Sequence, residues 1–105
     1  MNVYEVLISE KANDDMEAIY TYIAETLLAP DAAANQYDRI AKAILSLDVM
    51  PKRIKLMDSE PERSKGIRAM YVDRYTVFFI IKVDTVYITK VLYSASDISK
   101  RLLEE

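Results

Sequence analysis

The side chains that could do chemistry in this sequence are its carboxylates, lysines, arginines, serines and eight tyrosines. There is no Cys and no His, and Gly66 is the only glycine. Without Cys there is no thiolate nucleophile, disulfide framework or Cys-based zinc site. Without His, the commonest general base and the commonest metal ligand are both missing. A single glycine excludes the Gly-rich phosphate loops, which need several glycines at fixed offsets. What remains in the second half is a mixed set of cations and phenols, among them Arg68, Arg74, Tyr75 and Tyr93, preceded by a basic cluster of Lys52, Arg53 and Lys55. Arg68 and Arg74 suit a phosphate or a partner, while a charge on an edge strand also limits aggregation. Tyr75 and Tyr93 are expected to be half-buried rings with a polar tip. Asp14 and Glu17 could touch a divalent cation, but two ligands on one exposed helix face make a poor site. No metal and no cofactor are expected.

The chain has 105 residues, 51% apolar and 30% charged, which fits one soluble domain over residues 1–105. Its net charge of -3 hides a gradient. Residues 1–50 carry nine acids and three bases, residues 51–81 seven bases and four acids, and the remainder four of each. The asymmetry predicts one basic face on an acidic molecule. It does not predict a general nucleic-acid binder, which carries a basic balance overall. The uncharged run Tyr75–Ile81 is seven residues, far short of a membrane span. No signal peptide is visible at the N-terminal end, and the expected location is cytoplasmic.

The elements that must position these residues can be read from spacing. Val3–Ile8 is short, β-branched and aromatic, and predicts a strand. Ser9 is placed to cap a helix. Ala12, Met16, Ile19, Tyr20, Ile23 and Leu27 then form one helical face. Pro30 breaks this pattern and can open a second helix, whose face runs through Ala33, Tyr37, Ile40, Ile44 and Leu47. The short connection predicts an antiparallel helical hairpin. Glu10, Asp14, Glu17 and Glu25, with Asp15 beside them, give the first helix a solvated acidic face. A short strand is expected within Lys52–Leu56 and a surface loop over Met57–Lys65. Ile67–Val72, Tyr75–Val83 and Thr85–Tyr93 predict an antiparallel meander joined by tight turns. Ser94 and Asp97 resemble a capping box for a short helix over Asp97–Leu103. Helices followed by strands indicate α+β, with the helical hairpin on one face of a three- to four-stranded antiparallel sheet.

The strand Tyr75–Val83 is apolar on both faces. Alternation predicts Phe78, Ile80, Val86, Ile88 and Leu92 toward the helices, and Val77, Phe79, Ile81 and Val83 on the opposite face. That makes Phe79 and Ile81 candidate partner-binding residues, together with Lys52, Arg53, Lys55 and Arg68. A second apolar face is expected to be covered by a partner, the C-terminal helix or a second copy.

Several short motifs, in order, carry a resemblance. They are Ser9-x-x-Ala12 leading to Tyr22-Ile23; Asn35-Gln36-Tyr37-Asp38-Arg39-Ile40 with the later Pro51; Gly66-Ile67-Arg68; Asp73-Arg74-Tyr75-Thr76-Val77-Phe78-Phe79; and Lys90-Val91-Leu92-Tyr93 followed by Asp97. Together they resemble the RelE/ParE toxins of type II toxin–antitoxin modules across nearly the whole chain. The resemblance implies a toxin that causes growth arrest and is silenced by a cognate antitoxin, as a homodimer or as a heterotetramer with it. One branch implies a ParE-like poison of DNA gyrase that is not an enzyme, of the kind that stabilises plasmids. The other implies a RelE-like mRNA endoribonuclease working on the ribosome, without a metal. A non-toxic antitoxin-binding module is a third reading.

Metal-free RNA cleavage needs a base for the 2′-OH, cations for the phosphorane and an acid for the leaving oxygen. On the nuclease reading Lys65, Arg68, Arg74, Tyr75 and Tyr93 would supply them. Thr76 stands where many nuclease members carry Arg, and Ser94-Ala95-Ser96 stands where they often carry bases. Ribosomal RNA also favours a strongly basic surface. These departures favour the ParE-like branch.

Overall fold

The computed structural model describes residues 3–95. The helix expected over residues 97–103 lies outside the described residues. In chain order the elements are β1 (Glu5–Ile8), α1 (Glu10–Thr21), a π-helical turn (Tyr22–Thr26), α2 (Pro30–Leu45), 3-10 turns at Ser46–Asp48 and Pro51–Arg53, β2 (Arg68–Val72), β3 (Tyr75–Lys82) and β4 (Thr85–Tyr93). The α+β class, the N-terminal strand and the helical pair on the sheet agree with the sequence.

Ser9 caps α1 as expected. Its hydroxyl accepts from the Ala12 N–H at 3.0 Å, satisfying one of the helix's orphan donors. The apolar face holds through Ala12 and Met16, both buried. It loses phase at the π turn, where the Leu27 N–H donates to the Tyr22 carbonyl five residues back. The wider turn rotates the following residues, so Leu27 is exposed instead of buried. Leu28 (φ 54) then takes the left-handed stop that glycine usually supplies, and the Ala29 N–H closes onto the Ile23 carbonyl. Pro30 opens α2 from its first position, and Ala33, Ile40, Ile44 and Leu47 are buried as predicted.

The sheet order is β1-β4-β3-β2. β2–β3 and β3–β4 are antiparallel hairpins. β1 departs from the expected pattern, lying parallel to β4 with Glu5 opposite Thr85 and Ile8 opposite Ile88. The meander leaves the outer edge of β4 free, and β1 fills part of it. Pairing with so distant a strand is a tertiary choice that alternation does not encode.

The facing of β3 is the reverse of the expectation. Val77 and Phe79 sit in the core with Met16, Ile40 and Ile44, and Ile81 packs against the same cluster. Phe78 is fully buried on the opposite face. β4 changes parity part-way. Phe78 pairs with Lys90 but Phe79 with Ile88, so Thr89 is an extra residue, a bulge. Val86 and Ile88 face the helices as expected, and beyond the bulge it is Val91, not Leu92, that joins them. Phe79, with no exposed surface, is therefore core and not a partner contact, and Ile81 is half-buried against that core.

The strand expected within Lys52–Leu56 does not form. Met50 is left-handed (φ 50) and Pro51, which has no N–H, begins a 3-10 turn. Only Leu56 makes an isolated antiparallel bridge, to Arg68. The polar segment that follows is a run of turns, ended by Gly66 at φ +77, a conformation that suits a residue without Cβ.

The β3–β4 turn places Val83 at φ 56 and 94% exposed. A β-branched residue is strained there and gains nothing from burial. Val83→Gly should stabilise the domain by about 0.5–1 kcal/mol, the left-handed penalty less the extra glycine entropy. A melting temperature higher by about 4 °C is the expected readout.

Candidate partner-binding site

The cations singled out in the sequence do not converge. Arg68 lies at the start of β2, and its Nη1 donates to the Ile54 carbonyl at 2.6 Å. Arg53 is occupied similarly, its Nη1 donating to the Val49 carbonyl at 2.6 Å and its Nη2 to the Ser46 hydroxyl at 3.1 Å. Both guanidiniums pin the irregular segment between α2 and β2. Lys52, Lys55 and Lys65 are exposed, Lys65 in the turns before β2. Arg74 is at the other end of β2, in the turn to β3. The strand between them spans roughly 13 Å from Arg68 to Val72.

Arg74, Tyr75 and Tyr93 do come together. With Asp15, Ala18, Ile19, Tyr22, Leu27, Val91 and Leu92 they line a cavity of about 510 Å³ between the end of α1 and the ends of β3 and β4. The Tyr75 and Tyr93 rings meet edge to face, centroids 5.8 Å apart. That contact follows from register, since Tyr75 lies directly opposite Tyr93. Burial raises the Tyr75 phenol above its ordinary value, reinforced by Tyr93 and Tyr22 and opposed by Arg74. A phenol held protonated in this way is a donor and a poor base at neutral pH.

Asp15, Tyr22 and Leu27 join the site without a signal in the sequence. Asp15 is buried and accepts from the Val91 N–H at 2.9 Å. It also receives the Lys11 ammonium. Beyond Ile8, among the described residues, no strand lies beside β4, and Ser9 and α1 supply partners there. The Ser9 N–H donates to the Ile88 carbonyl and the Ser9 hydroxyl to the Thr89 carbonyl. In sequence Asp15 belongs to the acidic side of α1, and only the docking of α1 on β4 gives it this role. Tyr22 reaches the cavity through the π turn.

The turn carrying Arg74 is held from α2. Arg39 donates to both Asp73 carboxylate oxygens at 2.8 Å, and Gln36 donates to one of them at 3.0 Å. Asp73 itself has φ 56, which its short polar side chain tolerates. The Arg39 hydrogen bonds, then that of Gln36, hold the Asp73 carboxyl below its ordinary value. A depressed carboxyl contributes stability above the unfolded pKa, about 3.9, and loses it as pH falls through the folded value. Asp73→Asn should therefore melt lower than the parent near neutral pH, with the gap closing below about pH 4. Thermal melts over an acid series check this.

A family model described as the ParE toxin of the type II toxin–antitoxin system parDE matches residues 6–98. No protein of curated function matches the chain in sequence. Among solved structures, the chromosomal ParDE system from P. aeruginosa aligns with a TM-score of 0.73 at 20% identity, covering 87% of this chain and 96% of that one. The toxin–antitoxin complex RelBE2 from Mycobacterium tuberculosis aligns with a TM-score of 0.62 at 21% identity, covering 91% and 97%. Both share the fold of β1, the helical pair and the meander. With the family match spanning nearly its whole length, this chain belongs to the ParE toxins of type II toxin–antitoxin systems.

Proposed function

We propose that this protein inhibits DNA gyrase through a protein–protein contact and is neutralised by a cognate antitoxin. The observation that carries this reading is the dispersal of the cation set. Arg68 is tied to the Ile54 carbonyl and Arg53 to the Val49 carbonyl, while Arg74 stands at the far end of β2. A ribose–phosphate cleavage site needs several donors aimed at one phosphate. The cluster that does form, Arg74 with Tyr22, Tyr75 and Tyr93, is a largely apolar cavity whose two charged lining residues are Arg74 and Asp15, which suits a protein partner better than a phosphate chain. The acidic net charge of -3 points the same way. A cytoplasmic location would follow from such a target.

The test uses purified protein in two assays. Gyrase with plasmid DNA should lose supercoiling activity and accumulate cleaved DNA, while mRNA on translating ribosomes stays intact. Cleaved mRNA with unaffected gyrase would overturn the proposal. In cells, induced expression should arrest growth, and co-expression of the neighbouring gene should relieve the arrest.

A further inference from the structure

β1 is an outer strand of the sheet. Its odd-numbered residues bond toward β4: the Glu5 N–H donates to the Asp84 carbonyl and the Ser9 N–H to the Ile88 carbonyl. Its even-numbered residues therefore turn their main-chain groups to the other side. Of these, Tyr4 is taken, its N–H donating to the Asp48 carbonyl at 2.7 Å beside the Val3–Val49 bridge. Val6 and Ile8 have no strand on that side among the described residues. The side chains there are apolar, with Leu7 43% and Ile8 42% exposed. No Lys, Pro or bulge guards this stretch, although such devices are how open edges avoid pairing. On the sheet face away from the helices, Leu7 lies opposite Tyr87 and Tyr87 opposite Ile80. The three form one apolar row along a shallow cavity of about 290 Å³.

We propose that this edge receives a second copy of this chain, β1 against β1, antiparallel about a twofold axis at Leu7. The register follows from which groups are open. In an antiparallel pair, residues that exchange two hydrogen bonds alternate with residues that exchange none. Pairing Val6 with Ile8 of the second copy, and Ile8 with its Val6, uses every open group and makes four main-chain hydrogen bonds. An axis at Val6 would pair Ile8 with Tyr4, which Asp48 holds. An axis at Ile8 would pair Val6 with Glu10, which is already in α1. At the Leu7 axis, Leu7 meets its own copy, and the row Ile80, Tyr87, Leu7 continues across the axis into the same three residues. Glu5 falls opposite Ser9 of the second copy, so no acid faces an acid, an arrangement that would destabilise the pair. A twofold interface needs one patch that complements itself, and Val6-Leu7-Ile8 is apolar read in either direction. The contact is small, below the roughly 1,200 Å² of a tight interface, so its dissociation constant is on the order of 100 µM.

The test is sedimentation of the purified full chain from about 10 µM to about 1 mM. The chain should be mainly monomer at the lower end and mainly dimer at the upper. Leu7→Lys sets two ammonium groups against each other at the axis. Because Leu7 is exposed, this variant should melt like the parent, yet its dissociation constant should rise at least about tenfold. A covalent readout is independent of that variant. The chain has no Cys, so Leu7→Cys carries a single thiol. Residues facing each other in a non-bonded antiparallel pair have Cα atoms about 4.5 Å apart, within disulfide reach. Glutathione disulfide should link Leu7→Cys into a covalent dimer. Tyr71→Cys, exposed on β2 at the opposite edge of the sheet, should stay mainly monomeric. A parent chain that remains monomeric at about 1 mM, a dimer that survives Leu7→Lys, or equal cross-linking at the two positions would overturn the proposal. Neither gyrase nor an antitoxin enters the experiment, so its outcome is independent of the function proposed above.

Discussion

Phe79→Ala should cost about 3–5 kcal/mol and lower both the melting temperature and the urea midpoint steeply. Phe79 lies in the middle of β3, has no exposed surface, and shares the core with Met16, Ile40 and Ile44. Removing the ring forfeits its transfer free energy and leaves a cavity. The flanking strands, β2 and β4, hold β3 on both sides, so the backbone has little freedom to close the gap. Domains of this size are stable by about 5–15 kcal/mol, so the loss would be a large share of the total. A conservative change at the half-buried Ile81, to Val, should cost about 0.5–1.5 kcal/mol or less. If the two variants melted together, the inward facing of Phe79 would be refuted.

Asp15→Ala is expected to cost about 2–3 kcal/mol, an unusual penalty for an acid on an otherwise acidic helix. The carboxylate accepts from the buried Val91 N–H at 2.9 Å and holds Lys11. Its removal leaves a buried main-chain donor, on the edge of β4 away from β3, without that partner. Asp15→Asn retains an oxygen acceptor and should lose markedly less. Hydrogen exchange separates this account from a general loosening: the Val91 amide should exchange far faster in the Ala variant, while amides in the β2–β3 hairpin remain near parental rates. Uniform acceleration across the sheet would argue for a different role. Alanine at Asp14, one residue away and exposed, is the neutral control.

Where local physics decides, the sequence was sufficient. Ser9, Pro30 and the spacing of Ala33, Ile40, Ile44 and Leu47 set both helices. The β-branched and aromatic runs set the meander to within a residue or two. Three features lay beyond it because each depends on the packed partner. Val77 and Phe79 on one side of β3 and Phe78 and Ile80 on the other are equally apolar, so the pattern has no polar half to mark the outside. The bulge at Thr89 inverts parity within β4 without any glycine to announce it. The π turn at Tyr22–Thr26 lies inside a run that reads as ordinary helix, yet it delivers Tyr22 and Leu27 to the cavity. The candidate site was legible in part: Arg74, Tyr75 and Tyr93 assemble, whereas Arg68 and Arg53 serve as braces. An arginine that binds its own main chain looks in sequence like one that awaits a ligand.

The parallel pairing of β1 with β4 has a consequence for synthesis. Ser9 and Thr89, joined by a hydrogen bond, are 80 residues apart. At translation rates of about 5–20 residues per second, β1 waits roughly 4–16 s for its neighbour to be made. Contacts so distant in the chain also form late in folding. The cavity wall built by Asp15 and Val91 cannot exist before then, so a nascent copy passes through an interval in which α1 and α2 are made but the sheet they pack on is incomplete.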